Sequence, residues 1–307
     1  LASNYGGSGC TINRFFSIGM TEESKMARFD DAPYDTVVFD EIFFSSVRKL
    51  ARIKKYCAEH PEKLIIATGD TNQLECIDCI TNQHDYDEYY NKCVDLIFPD
   101  SMYFKENKRL KSKRDKDTLR QFKRDIFDET IPVETTIKKY FKLTKDLKTK
   151  YNVAYKNATC ERISQRVRSE LLQKQEEYAV GEVLVCRSYF KIKKHVFNVN
   201  YEYIITAVEG TTLVLNGDLV LPLETVRKNF IHNYCRTCHS FQGSSLDQKL
   251  TIFDWRFKRV NRKWLYTSIT RATMLKNVLF YDYEETEETD EAARQYFKRK
   301  VDRYKQQ

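Results

Sequence analysis

The chain has 307 residues, 41% of them apolar and 31% charged, which is enough for two or three domains with cores of their own. No apolar run approaches the roughly 20 residues that a helical bilayer span requires, so no membrane partner is expected. The net charge of +8, from 52 Lys and Arg against 44 Asp and Glu, favours a polyanionic partner. Nine cysteines is an odd count, and with no secretory signal ahead of them they read as reduced intracellular thiols, leaving the compartment otherwise open.

The first stretch, Tyr5-Gly6-Gly7-Ser8-Gly9-Cys10-Thr11, superficially imitates a phosphate-binding loop, but Cys10 stands where the loop's lysine belongs. It reads better as a glycine turn into Thr11 to Phe16, where Thr11 could touch a phosphate backbone and Phe16 could stack on a base. Core packing of Phe15 and Phe16 is the alternative. Next, Tyr34 to Phe39 forms an apolar, β-branched run that ends in Asp40 and Glu41. The run predicts a strand of a parallel sheet, buried on both faces, with the acids at its carboxyl end, where open α/β sheets bind ligands. A carboxylate pair there suits a Walker B role, with Asp40 near Mg2+ and Glu41 polarising the water that attacks a γ-phosphate. An acidic strand end in solvent is the plainer reading.

Helical spacing from Ser46 to His60, closed by Pro61, leads to a second strand, Leu64 to Thr68. That strand exits through Gly69-Asp70-Thr71-Asn72-Gln73, where the glycine allows a tight turn and Gln73 could reach a γ-phosphate or its water. Residues 81 to 100 read as a surface excursion. A basic stretch from Tyr103 to Arg124 follows; Lys111 to Lys123 reads as a solvated helix face, with Arg109 the candidate exception. A strand over Tyr151 to Tyr155 and a helix from about Thr159 to Gln175, with Thr159 as N-cap, come next. Short strands within 181 to 222, with an Asn216-Gly217 turn signal, predict a small β-barrel inserted into a second α/β unit. The chain returns through Ile231 to Thr237, the loop Cys238 to Asp247, a strand over Lys249 to Phe253, a helix over Trp264 to Thr273, a strand over Asn277 to Tyr281 and a charged tail. Two Cys-x-x-Cys pairs, Cys76 with Cys79 and Cys235 with Cys238, admit a zinc site, but the second is better explained by the motif around it.

Taken together, Asp40-Glu41, Gly69-Asp70-x-x-Gln73-Leu74, Arg109, Thr237-x-His239-x-x-Gln242-Gly243 and Tyr266-Thr-x-x-Thr270-Arg271-Ala272 stand in the order of superfamily 1 helicase motifs. From about Leu1 to Tyr283 the chain resembles the RecD-like and Dda-like branch of that superfamily, which includes the PIF-type helicases. The resemblance implies an α/β fold of two RecA-like parallel-sheet domains with a small SH3-type β-barrel inserted in the second. Its implied boundaries are 1–110 for the first domain, 111–180 and 231–284 for the second, 181–230 for the barrel and 285–307 for the tail. It also implies ATP hydrolysis with Mg2+, held by Asp40, coupled to 5′ to 3′ movement on single-stranded DNA or a DNA fork, with RNA left open. Glu41 would be the catalytic base, Gln73 the γ-phosphate sensor, and Arg109 and Arg271 the arginines that stabilise the transferred phosphoryl group. Gln242 and Gly243 would lie near the nucleotide, and Thr237, His239, Thr11 and Phe16 against DNA. The departure is that no Gly-Lys-Thr occurs anywhere in the chain. A Walker A segment fused or missing upstream of Leu1 is therefore expected; a module that binds nucleic acid without turnover is the alternative.

Overall fold

The computed structural model describes residues 9–16, 34–74, 92–241 and 245–282. Expectations for Cys76 and Cys79, Gln242, Gly243 and the tail lie outside the described residues. The chain divides into two compact units, Leu1–Lys105 and Glu106–Gln307. Among the described residues no helix is long and apolar enough to cross a membrane.

In the first unit a short helix α1 (Ile12–Phe15) precedes strand β1 (Thr36–Phe39), a tight helical turn (Ile42–Phe44), helix α2 (Val47–Glu59) and strand β2 (Leu64–Ala67). The two strands run parallel, with Thr36 opposite Leu64 and Phe39 opposite Ala67. Strand alternation sends Val37 and Phe39 to one face, where they meet Leu50, Ile53 and Tyr56, spaced by three along α2, and Phe15. The other face corrects the expectation of a strand buried on both sides: Val38 is 56% exposed and Leu64 59%. Three apolar residues in a row fix a strand, not the number of layers packed on it.

The second unit opens with α3 (Lys113–Phe127), α4 (Val133–Tyr140), β3 (Lys142–Thr144), β4 (Tyr151–Ala154) and α5 (Asn157–Arg166), which continues into a π-helical turn, Val167–Leu171. The basic run does form a helix with a solvated side, while Leu119, Phe122 and Ile126 bury the opposite stripe. Helix α5 begins two residues before the expected Thr159 cap. The reason is a cap supplied from far along the chain: Asp254 accepts from the backbone of Tyr155 (3.2 Å) and Lys156 (2.9 Å) and from the Thr159 hydroxyl (3.0 Å).

The inserted segment follows as β5 (Val183–Cys186), β6 (Phe190–Ile192), β7 (His195–Phe197), β8 (Glu202–Glu209), β9 (Thr212–Leu215), β10 (Leu219–Pro222), α6 (Leu223–Asn229) and β11 (Phe230–His232). Its main sheet has the order β10-β9-β8-β5-β11, antiparallel throughout. It owns a separate core that includes Leu184, Phe197, Tyr203, Ile205, Leu213 and Phe230, with Phe190 stacked on Phe197 at 4.4 Å. Ile231 and His232 pair with β5, so they belong to this sheet and not to the returning α/β chain. That chain resumes with β12 (Cys235–Thr237), β13 (Leu250–Ile252), α7 (Arg262–Ile269) and β14 (Val278–Tyr281), completing a five-stranded sheet of order β12-β4-β13-β14-β3 in which every pair is parallel.

The inserted sheet is tied to α5's π-turn by a buried ionic cluster. Glu182, 2% exposed, accepts from Arg168 Nε (2.9 Å) and Nη2 (3.2 Å), from the Tyr234 hydroxyl (2.9 Å) and from the Ala179 amide (2.8 Å). His232 stacks beside it between Tyr178 and Tyr234, and its buried Nδ1 has no hydrogen-bond partner. Burial pushes the imidazole below its ordinary value of 6.5, against the pull of Glu182. A base depressed in the folded state takes up its proton on unfolding, so stability is lost as pH falls below about 6.5. His239, lowered by burial, adds the same sign, and Asp254, raised by burial, opposes it at lower pH. Denaturant unfolding at about pH 7.5 and about pH 5.5 should show this loss, and His232→Phe should flatten it. An unchanged slope in that variant would remove His232 from the account.

Candidate functional site

The carboxyl edge of β1 and β2 carries the first group of expected residues. Directly after β1 the chain turns through Asp40 and Glu41, and Glu41 sits at φ 54, ψ 48, in the left-handed region. For a residue with a Cβ this costs roughly 1–3 kcal/mol, and such outliers concentrate at functional sites. The surrounding bonds enforce it: the Ile42 amide donates to the Thr68 carbonyl (2.8 Å) and the Thr68 amide to the Phe39 carbonyl (2.9 Å). Thr68, which sequence reasoning passed over as an ordinary strand end, also donates its hydroxyl to Asp40 Oδ1 at 2.5 Å. The Glu41 amide donates to the same oxygen at 3.0 Å.

Asp40 is thus exposed but oriented, with both bonds on Oδ1 and Oδ2 turned to neither. A fixed, hard carboxylate oxygen at a sheet edge fits Mg2+, which takes one or two carboxylates and completes its shell with water and phosphate. Gly69 follows Thr68, and its value is space rather than turn geometry. A Cβ there would lie 2.6 Å from the Phe43 ring and 3.3 Å from Ile42, the two residues that follow Glu41. The missing side chain lets the two strand exits nest together. Beyond it, Asp70 Oδ1 accepts from the Asn72 amide (2.9 Å) and side chain (2.8 Å), and the Gln73 amide donates to the Asp70 carbonyl (3.0 Å). Gln73 is therefore held in a structured turn, half-buried, at the edge that carries Asp40 and Glu41.

Thr11, exposed, starts α1, and its carbonyl accepts from the Phe15 amide at 2.8 Å. Phe16 is placed differently from the expectation of a base-stacking ring. It stacks on Phe39 (6.1 Å between centroids) and meets Tyr56 edge-on (5.9 Å), so the aromatic pair joins the core that backs β1.

In the second unit the structure brings Arg109 and Arg271 together. Arg109 Nη1 donates to the carbonyl of Thr270, the residue before Arg271, at 2.6 Å. Arg271 follows the last turn of α7 and is fully buried, its Nε donating to the Thr267 carbonyl at 3.0 Å. The loop after β12 packs on the same helix. The Cys238 thiol lies 3.9 Å from the Trp264 carbonyl, and burial pushes its pKa up to about 12, against the influence of Ser268 and Arg271. Cys235 is raised well above its ordinary value, again by burial. Among the described residues no group of three or more His, Cys, Asp and Glu could hold a metal ion.

Thr237 anchors its own turn: Oγ1 accepts from the Ser240 amide (3.3 Å) and its carbonyl accepts from the Ser240 hydroxyl (2.9 Å). His239 is half-buried there and depressed by desolvation. Past the loop, the Leu246 amide donates to the Arg271 carbonyl (2.8 Å) and Leu246 bridges Ala272. The segments around Thr237 and Arg271, read as separate motifs in the sequence, are therefore one packed body.

No protein-family model and no curated protein matches the sequence. Solved structures do. The chain is similar to the crystal structure of Pif1 helicase from Bacteroides in complex with ADP-AlF3 and ssDNA, with a TM-score of 0.56 at 14% identity over 93% of this chain and 81% of that one. Bacteroides Pif1 bound to ssDNA gives a TM-score of 0.54 at 12% identity over 94% and 82%. Pif1 helicase from Candida albicans gives 0.52 at 12% identity over 97% and 86%. At such identities the likeness establishes fold, a mixed α/β architecture with a parallel sheet.

Proposed function

We propose that this protein is an ATP-dependent DNA helicase or translocase of superfamily 1, moving 5′ to 3′ on single-stranded DNA and acting in replication, recombination or repair. The observation that carries the reading is Glu41, locked in a left-handed turn beside an oriented Asp40 at the carboxyl edge of a parallel strand pair. Phosphoryl transfer needs positioning and charge neutralisation more than covalent chemistry, so a held carboxylate next to a second one is a meaningful pairing. The solved structures of this fold add support, since their Pif1 helicases were seen with ADP-AlF3 and with ssDNA.

In this reading Asp40 holds Mg2+, which supplies charge neutralisation on the phosphates, and Glu41 accepts the proton of the attacking water. Gln73 orients that water, and Arg109 and Arg271 counter the charge on the transferred group. Gln242 and Gly243 lie by the nucleotide. Thr11 touches the phosphate of the nucleic acid, Phe16 lies close to a base, Thr237 and His239 face the nucleic acid, and the inserted sheet is an SH3-type barrel. A second reading, a module that binds nucleic acid without hydrolysis, draws on the net charge of +8, which would serve attachment alone. Forked DNA separates the two. A 5′-tailed fork should be unwound only with ATP and a 3′-tailed fork poorly; tight binding with no strand separation on either would favour the second reading.

A further inference from the structure

The guanidinium of Arg236 is a charge that none of the roles above uses. It sits in the middle of β12 and is 2% exposed. Its Nη1 donates to Glu202 Oε1 at 3.1 Å, and Glu202 opens β8 of the inserted sheet. The other donors go the opposite way: Nη2 to the Ser240 carbonyl and Nε to the Ser240 hydroxyl at 3.4 Å. The guanidinium carbon Cζ also lies over the Phe241 ring, 5.1 Å from its centre. One rigid, buried fork thus grips the inserted sheet with one arm and the His239–Phe241 turn with the rest.

The turn is three residues long; the Phe241 amide donates to the Cys238 carbonyl at 3.2 Å, and Thr237 holds Ser240 through its hydroxyl oxygen and its carbonyl. A buried guanidinium has few alternative partners, so it holds its geometry only while its acceptors stay in place. Burial disfavours its charge, and Glu202 is the carboxylate that restores it. We infer that Arg236 is a positioning residue that couples the inserted sheet to the 237–241 turn, so that movement of Glu202 shifts where His239 and Ser240 are held. This rests on the proposed function, in which that turn faces the nucleic acid. Load on the inserted sheet would then tune the hydrolysis step.

Glu202 tests this, because its side chain is 50% exposed and lies outside the proposed catalytic and binding groups. In Glu202→Ala, amide hydrogen exchange in peptides covering 238–241 should quicken by about fivefold, beyond any change in β4 and β13 that follows from the stability lost when the buried guanidinium loses its carboxylate. DNA-stimulated ATP turnover should fall by about the same factor, with the DNA-free rate and the KM for ATP unchanged. Glu202→Gln, which keeps a neutral acceptor, should recover part of both effects. Unchanged exchange at 238–241 overturns the inference, as does faster exchange with full DNA stimulation. If the complete wild-type protein, with its Walker A segment, shows no ATP hydrolysis, the helicase reading fails, and the exchange result alone decides whether Arg236 clamps the turn.

Discussion

Replacing Glu41 with Gln is expected to lower DNA-stimulated ATP turnover by about 10²–10⁴-fold, the range for losing a general base, with single-stranded DNA binding largely retained. Glutamine keeps the volume and the backbone preference of the site, so the left-handed turn at φ 54 and the Asp40 Oδ1 bond to the residue's own amide should survive. What disappears is the ability to accept a proton from water. Steady-state hydrolysis with saturating DNA, together with anisotropy of a labelled oligonucleotide, reads the two properties separately. Hydrolysis at the wild-type rate in this variant would remove Glu41 from the reaction. A parallel loss of DNA binding would point instead to a collapsed sheet edge.

The second large effect is on stability. Glu182→Ala should cost about 3–5 kcal/mol, because it strands the half-buried Arg168 guanidinium and the buried Tyr234 phenol instead of removing a matched pair. Burial works to raise the Glu182 carboxyl, yet Arg168, His232 and Tyr234 together hold it below its ordinary value of 4.5. The native ion pair is thus kept at neutral pH and lost only in acid. At roughly 2–4 °C per kcal/mol for a domain of this size, thermal unfolding should move down by about 6–20 °C. Tyr234→Phe, which leaves the ion pair intact, should cost about 1 kcal/mol. If Glu182→Ala melts with the wild type, the cluster contributes nothing to joining the inserted sheet to the π-turn.

The parts of this molecule that local pattern can announce were visible in the sequence. The β-branched run into Asp40 and Glu41, the second strand into Gly69 and Gln73, and the Asn216-Gly217 turn each break from apolar to polar within a residue or two. Asn216 and Gly217 do take positive φ, as that turn chemistry requires. The hairpin of β6 and β7 escaped because its turn is made at Lys193, φ 53, a residue that carries no turn signal. The groups that escaped at the site share another cause. Thr68 on Asp40, Asp254 capping α5, Arg168 and Tyr234 on Glu182, and Arg236 on Glu202 are all pairings across long stretches of chain. Periodicity reports which face of an element is apolar; it does not report which distant residue satisfies a buried charge. Gly69 lies between these cases: its place was legible, but its purpose, room for Phe43, required the packed structure.

The claim that joins these observations is that hydrolysis at the Asp40 and Glu41 edge depends on nucleic acid. ATP turnover by the complete protein, its Walker A segment included, titrated with single-stranded DNA in Mg2+, tests it most directly. The account predicts a low rate without DNA and a saturable rise as DNA is added, abolished by Glu41→Gln. Binding of the same DNA with no hydrolysis, or hydrolysis indifferent to DNA, would contradict it.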